Sequence, residues 1–356
     1  MILLRYLMKA FLLRFTALLV GLVLFLQTLD LLAMANEIMA GGGAPIESLS
    51  RYVMLRMPSL VETVAPLAGL LGALTALVVM AMNSEILAMR AAGRSVLGLM
   101  GGLVGVGLAL SILLFVFSEF VVVRANAELE DWRSSGYGAG SEVVTGEDSW
   151  VMEGDTIIRV GQVMRGGTIL HDVRLFKQRD GSNVTDIISI RLAIWENDNW
   201  TTVEMKRVGG TPEGSAALAW ETHLKPEHFV RFANHPNELS LNALQQYIGT
   251  VAIGSRPVYF YDTWLQQKIA GPIVLALMPL LAGIAAFAHH RQGGSVITIV
   301  GGISIGFMFI IVDNILIAMG QFGSLPPVMA AWLPLALFGI IGVWIIFNFE
   351  HTGVRT

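Results

Sequence analysis

The chain has 356 residues, of which 54 % are hydrophobic and only 14 % charged, with a formal net charge of -4. This composition excludes a disordered chain and argues against an ordinary soluble enzyme, and an acidic balance is a poor match for nucleic acid, whose phosphates need a basic surface. There is no cysteine, hence no disulfide framework and no thiol chemistry.

Arg5, Lys9 and Arg14 precede a long apolar stretch, as in a signal sequence. No small-residue cleavage motif follows, and further apolar runs come later, so the stretch reads as a first membrane span rather than a leader. Apolar runs of about 18 residues or more are read as spans. Six are expected, at about 12–34, 60–82, 95–122, 266–288, 294–318 and 327–348. An even number puts both termini on one side. Arg5, Lys9, Arg90, Arg94, Arg291 and Arg355 fall on that side, whereas the short opposite segments offer mainly Arg51 and Arg56. The excess of cations predicts cytoplasmic termini, and places 125–263 outside, in the periplasm of a bacterium.

After the first span, Gly41-Gly42-Gly43 breaks the chain. Ile46, Leu49, Val53 and Met57 then recur at helical spacing, with Glu47, Ser48 and Arg51 facing away, which predicts a separate interfacial helix. The stretch MNSEILAMRAAGRS (82–95) is too polar for hydrocarbon, yet it carries helix signals at both ends. Asn83 or Ser84 can cap the start, and Glu85 suits the positive end of the helix dipole. Gly93 stops the helix, with Arg90 and Arg94 at the negative end. A helix of two to three turns over 83–93 is expected. It is either a plain connection or a handle, and the shared face of Ile86 and Met89 calls for a docked partner. In the spans, Gly98, Gly101, Gly102, Gly105, Gly302 and Gly306 give small-residue faces for packing within the chain or against a second subunit.

Residues 125–263 change character. Turn-formers at 154–155, 179–182, 197–199 and 209–210 separate short β-rich runs. Ile188, Ile190, Leu192 and Ile194 alternate with Ser189, Arg191 and Ala193, predicting a strand with one buried face. The expected fold is an α-helical membrane protein with six transmembrane helices plus a periplasmic all-β, jelly-roll-like domain. Ser240 caps a helix with Leu241, Leu244 and Ile248 on one face, and Tyr259, Tyr261 and Trp264 suit a membrane-interface belt.

Asp30 and Asp313 lie in or at the edge of spans, where carboxylates are costly and point either to interfacial water or to function. His289-His290 reads as a polar turn, not an i, i+4 metal pair. No catalytic cluster and no metal site is expected. None of the five lysines follows a glycine, so a GxxxxGK[ST] phosphate loop is absent. Energy for any transport must come from another chain.

PLAGLLGAL (66–74) followed by NSEILAMRAAG (83–93) resembles the lipopolysaccharide export permeases, the LptF/LptG family. WLQQKIAGPI (264–273), GGISIGFMFIIVDN (301–314) and LPP (325–327) resemble its LptG branch more than LptF. The resemblance covers nearly the whole chain and implies three parts: 1–124, 125–263 and 264–356. It implies that Ser84, Glu85, Ile86, Met89, Arg90 and Gly93 form a coupling helix seated on an ABC ATPase. ATP and magnesium would then be held by that ATPase, and no cofactor by this chain. The implied partners are a homologous LptF-like permease, two LptB-like ATPase subunits, an LptC-like single-span protein, an LptA-like soluble bridge, and lipopolysaccharide as cargo.

In this family, basic residues often stand near the outer end of span one. Here the neighbourhood reads Gln27, Thr28, Asp30, Asn36 and Glu37, so Arg51 and Arg56 would have to supply the charge. Gln27, Asp30, Arg51, Arg56, Phe307 and Asp313 are the candidate lipid portal in the bacterial inner membrane. Ile188, Ile190, Leu192 and Ile194 are candidates for a periplasmic lipid groove, or for a closed core. The alternatives are the LptF-like partner subunit, a membrane-embedded lipid- or peptide-modifying enzyme, or an envelope scaffold.

Overall fold

The computed structural model describes residues 2–91, 93, 95–134, 136–138, 149–153, 156–164, 167–179, 183–196, 198–207, 218–220, 222, 224–226, 229, 239–249, 257–288 and 295–352. Arg94, His289, His290, Arg291, Arg355 and the turns at 154–155, 180–182 and 209–210 lie outside them, as do the side chains of Ile86 and Arg90. The chain divides into two compact units. One comprises Met1–Ala35, Ser50–Asn126 and Asp262–Thr356, and the other Asn36–Leu49 and Ala127–Tyr261.

Among the described residues, the first unit carries six helices long and apolar enough to cross a membrane. They are α1 (Ile2–Ala40), α2 (Pro45–Met82), a third span that begins as α4 (Val96–Phe117), then α7 (Val258–Ala288), α8 (Ser295–Gln321) and α9 (Pro327–Thr352). A short helix, α3 (Glu85–Ala91), joins α2 to α4. The third span is not regular: a π turn over Ser118–Val122 separates α4 from α5 (Val123–Ser134). Ser95 caps α4, its hydroxyl accepting from the Gly98 N–H at 3.0 Å.

The expected interfacial helix is not a separate element. Ile46 to Met57 form the first turns of α2, which runs unbroken through Pro58 and Pro66. Each proline forfeits one backbone hydrogen bond, but inside a helix bundle neighbouring helices and local adjustments make this tolerable. The face that meets the protein is not the apolar stripe either. Ser48 and Tyr52 are buried, whereas Ile46 is almost fully exposed.

Between lipid-facing helices the hydrophobic effect gives little, so close packing decides which helices associate. The apolar windows of α2 and α7 are 67 % and 83 % buried, against 11 % for α1 and 17 % for α8, so α2 and α7 form the centre of the bundle. Leu70, Leu74, Leu77, Leu103 and Leu281 fill its core with Phe11 and Phe309. A Cβ at Gly72 would lie 2.9 Å from the Phe15 backbone, so α1 crosses α2 at backbone contact. Gly302 and Gly306 of α8 sit over Leu74 and Leu70 of α2, which assigns that small-residue face to packing within the chain. Gly101 and Gly105 of α4 have open space before them.

The second unit is built on a β-sheet, as expected from its turn-punctuated sequence, with helical segments beside it. Its described strands are β1 (Ser149–Glu153), β2 (Thr156–Met164), β3 (Ile169–Arg179), β4 (Asn183–Glu196), β5 (Asn199–Arg207) and β6 (Leu218–Trp220). They form one antiparallel sheet in chain order, an up-and-down meander. The β4–β5 hairpin closes with Glu196 opposite Asn199.

Strict alternation along β4 does not hold. Ile188 and Ile190 point into the core, but the next inward residue is Ala193; Leu192 and Ile194 are only half-buried. The same slip occurs in three neighbours: Val160 then Val163, Val173 then Leu170, and Met205 then Thr202. The slips line up on one row across the sheet, Gly161–Asp172–Arg191–Glu204, where regular pairing is skipped. Asp172 and Glu204 there have φ of 51° and 55°, a conformation that costs about 1–2 kcal/mol for a residue with a Cβ. Charge pairs hold the row: Asp172 meets Arg159 at 3.3 Å and Arg174 at 3.5 Å, and Glu204 meets Arg191 at 3.2 Å. A two-residue period cannot survive such a row, which is why the sequence alternation misassigns Leu192 and Ile194.

The inner face is closed by aromatics. Trp200 is buried against Trp195, Trp220 and Phe229 with ring centroids 5.2 to 5.9 Å apart, and its indole N–H donates to the Leu224 carbonyl at 2.6 Å. In the same unit, α6 (Leu241–Gly249) starts as expected, the Ser240 hydroxyl accepting from the Ala243 N–H at 3.1 Å and Leu244 fully buried.

Candidate functional site

The short helix α3 begins and ends where the sequence signals place it, within two residues. Ser84 has φ of 57° and its carbonyl accepts from the Ala88 N–H, while Gly93 at φ of 80° turns the chain out. Positive φ is natural for glycine and strained for serine, so the turn before α3 stores strain that the one after it does not. Asn83 donates to Glu85 Oε1 at 3.5 Å, tying the cap residue to the first-turn carboxylate. The other oxygen, Oε2, is buried without a hydrogen-bond partner among the described residues. Ser84, Ala88, Ala91 and Gly93, all small residues in or beside α3, are exposed.

Met89 corrects one expectation. It is not waiting for a partner: it is 3 % exposed and belongs to the chain's own helical core with Val96, Leu99 and Leu77. The helix is therefore anchored to its two spans. The signal was misread because a seven-residue helix leaves no way to tell from sequence which side of it meets protein.

The portal candidates fall into separate groups. Asp30 of α1 and Arg56 of α2 come together, with Arg56 Nε 3.2 Å from Asp30 Oδ2. Tyr52, which sequence reasoning missed, donates its hydroxyl to the same oxygen at 2.7 Å. One helical turn away, Gln27 is buried and neither end of its amide finds a partner among the described residues. Arg51 is exposed on α2. Asp313 of α8 has a different neighbour, Gln267 of α7, whose amide donates at 3.4 Å, while Phe307 lies on the exposed side of α8. The Asp30–Arg56 pair is partly open to its surroundings, and such pairs contribute modestly. A double-mutant cycle of Asp30→Asn and Arg56→Gln, read by thermal unfolding in detergent, is expected to give a coupling of about 1 kcal/mol. A coupling of zero would mean that the two side chains do not hold α1 to α2.

A second polar cluster was not anticipated. The Ser118 hydroxyl donates to Glu62 Oε1 at 2.7 Å, and Lys268 Nζ lies 3.6 Å from Glu119 Oε2. It joins α2, the π turn and α7. Glu62 and Lys268 each stand alone as a charge in an apolar run, which was the available signal.

Of the groove candidates, Ile188 and Ile190 pack into the closed core beside Trp200 and Phe229, and Leu192 and Ile194 do not share their face. No cluster of three metal-ligating side chains occurs among the described residues.

The sequence model of the family described as lipopolysaccharide export system permease LptF/LptG matches residues 5–348. The chain is 24 % identical over 346 residues to the lipopolysaccharide export system permease protein LptG of Escherichia coli K12, covering 94 % of this chain and 95 % of that one. It is 26 % identical over 304 residues to the LptG of Haemophilus influenzae, covering 83 % and 84 %.

Proposed function

The chain belongs to the LptF/LptG family of lipopolysaccharide export permeases, and on that premise we propose that it is the LptG-like subunit of an ATP-driven exporter, coupled to its motor through α3. In this reading it lies in the bacterial inner membrane with both termini in the cytoplasm and the β unit in the periplasm. It pairs with a homologous LptF-like permease and two LptB-like ATPase subunits, which hold the ATP and magnesium. Lipopolysaccharide enters laterally between spans of the two permeases, near Asp30 and Arg56. Closure of the ATPases pushes α3, the cavity narrows, and the lipid is expelled toward LptC-like and LptA-like bridge proteins.

The observation that carries the reading is the construction of α3. A handle must be rigid toward the part it moves and open toward the part that grips it. Met89 supplies the first property, and the exposed small residues Ser84, Ala88, Ala91 and Gly93 supply the second. An ordinary connection needs neither.

The test is extraction of the tagged protein from its native membrane in detergent, scored for a bound ATPase, a second permease and lipopolysaccharide. All three are expected. Lipopolysaccharide without any ATPase, or neither, would overturn the coupled-permease reading in favour of an enzyme or a scaffold.

A further inference from the structure

The polar cluster of Glu62, Ser118, Glu119 and Lys268 borders the apolar runs 63–82, 96–118 and 269–288, which carry no charged residue. Ionisable side chains at such positions are costly and rarely accidental. Lys268 is only 9 % exposed and Glu119 20 %, so their pairing is shielded. Three helices meet here, and each is irregular at that level. Glu62 precedes Pro66 by four residues, and Lys268 precedes Pro272 by four. A proline cannot donate to the carbonyl four residues back, so the Glu62 and Lys268 carbonyls both lack their helical donor. The third helix contributes Ser118 and Glu119 from its π turn, a backbone form associated with functional positions.

The cluster also has a defined place relative to α3. Glu62 is 20 residues before the end of α2, and Ser118 is 22 residues after the start of α4. At 1.5 Å per residue both intervals are about 30 Å. The two helices that leave α3 are thus clasped together again about 30 Å along their length, beside Pro66 and at the π turn.

We propose that Glu62, Ser118, Glu119 and Lys268 are positioning residues for transport: an intramembrane clasp at which movement of α3, carried along α2 and α4, is passed to α7. The inference rests on the coupled-permease reading above. Without the clasp, the softened backbones absorb the movement. ATP is then hydrolysed with little lipid moved.

The test uses the whole complex in proteoliposomes and reads lipopolysaccharide released per ATP hydrolysed, together with thermal unfolding and subunit recovery. Lys268→Met is expected to lower that ratio on the order of tenfold, within the range of coupling free energies, while ATPase binding and ATP hydrolysis persist. Lys268→Arg, which keeps the charge, is expected to stay near wild type. An unchanged ratio in Lys268→Met, or equal loss in Lys268→Arg, would overturn the proposal. If Lys268→Met fails to assemble, Glu62→Gln removes a charge while still accepting from Ser118, and the same ratio decides: a fall supports the clasp and no change overturns it. Should the wild-type complex itself release no lipid on adding ATP, the transport reading fails before any variant is scored.

Discussion

Glu85→Ala is expected to strip the ATPase from the complex and abolish ATP-driven lipid release, with little loss of thermal stability. One Glu85 oxygen is held by Asn83, and the other is buried with no partner among the described residues. Glu85 is only half-buried and its contact with Asn83 is exposed, so a donor from outside can reach that side of the carboxylate. Removing one side of such a charged contact across an interface typically costs about 2–5 kcal/mol, and each 1.4 kcal/mol is tenfold in affinity. That is enough to lose the ATPase during purification. The measurements are ATPase recovery on the tagged permease and lipid release from proteoliposomes. Full recovery with normal release would remove Glu85 from the coupling site and leave α3 as a plain connection. Because Met89 still anchors the helix, the variant permease should melt close to wild type, which separates lost coupling from lost folding.

Trp200→Ala is expected to unfold the β unit. The indole is 1 % exposed, touches three other aromatic rings and donates to the Leu224 carbonyl. Truncating a buried Trp costs about 3–5 kcal/mol, a large share of the roughly 5–15 kcal/mol that holds a typical domain together. Trp200→Phe keeps a ring but loses the hydrogen bond, for a cost nearer 1–3 kcal/mol if the carbonyl is left unsatisfied. Limited proteolysis should show the β unit cut first in Trp200→Ala and protected in Trp200→Phe. Equal protection in both would mean that the aromatic cluster is not what closes the sheet. A lipid chain entering this face would have to displace the same rings.

The membrane architecture was legible because its cause is local: each span is a continuous apolar run, and the β-sheet announces itself through its turns. The limits of α3 were legible for the same reason, since Glu85 and Gly93 act within one turn. What failed depended on distant partners. Met89 looked available because its neighbours in the core, Leu77 and Leu99, are a helix away in sequence. The start of α2 was read as a separate helix because its polar face at Glu47, Ser48 and Arg51 suited a membrane interface, and bundle packing overrides that. Asp30 was noticed and Arg56 suggested, but Tyr52 completes the contact from a position that periodicity assigned to neither face. The π turn over Ser118–Val122 has no local signature in the sequence. The slip in β4 was hidden by Leu192 and Ile194, whose type suits a core that Ala193 in fact reaches.

The row Gly161–Asp172–Arg191–Glu204 has a consequence for how such a sheet can change over evolutionary time. Deleting one residue of the row would restore simple alternation in a single strand and shift its remaining half by one residue against three neighbours that kept the slip. With Arg191 gone, Ala193 would still face the core two positions after Ile190, but every later residue of β4 would have to pair one place out of register with β3 and β5. No strand here can drift in length alone. The four share one reading frame, and insertions or deletions are confined to the turns between them.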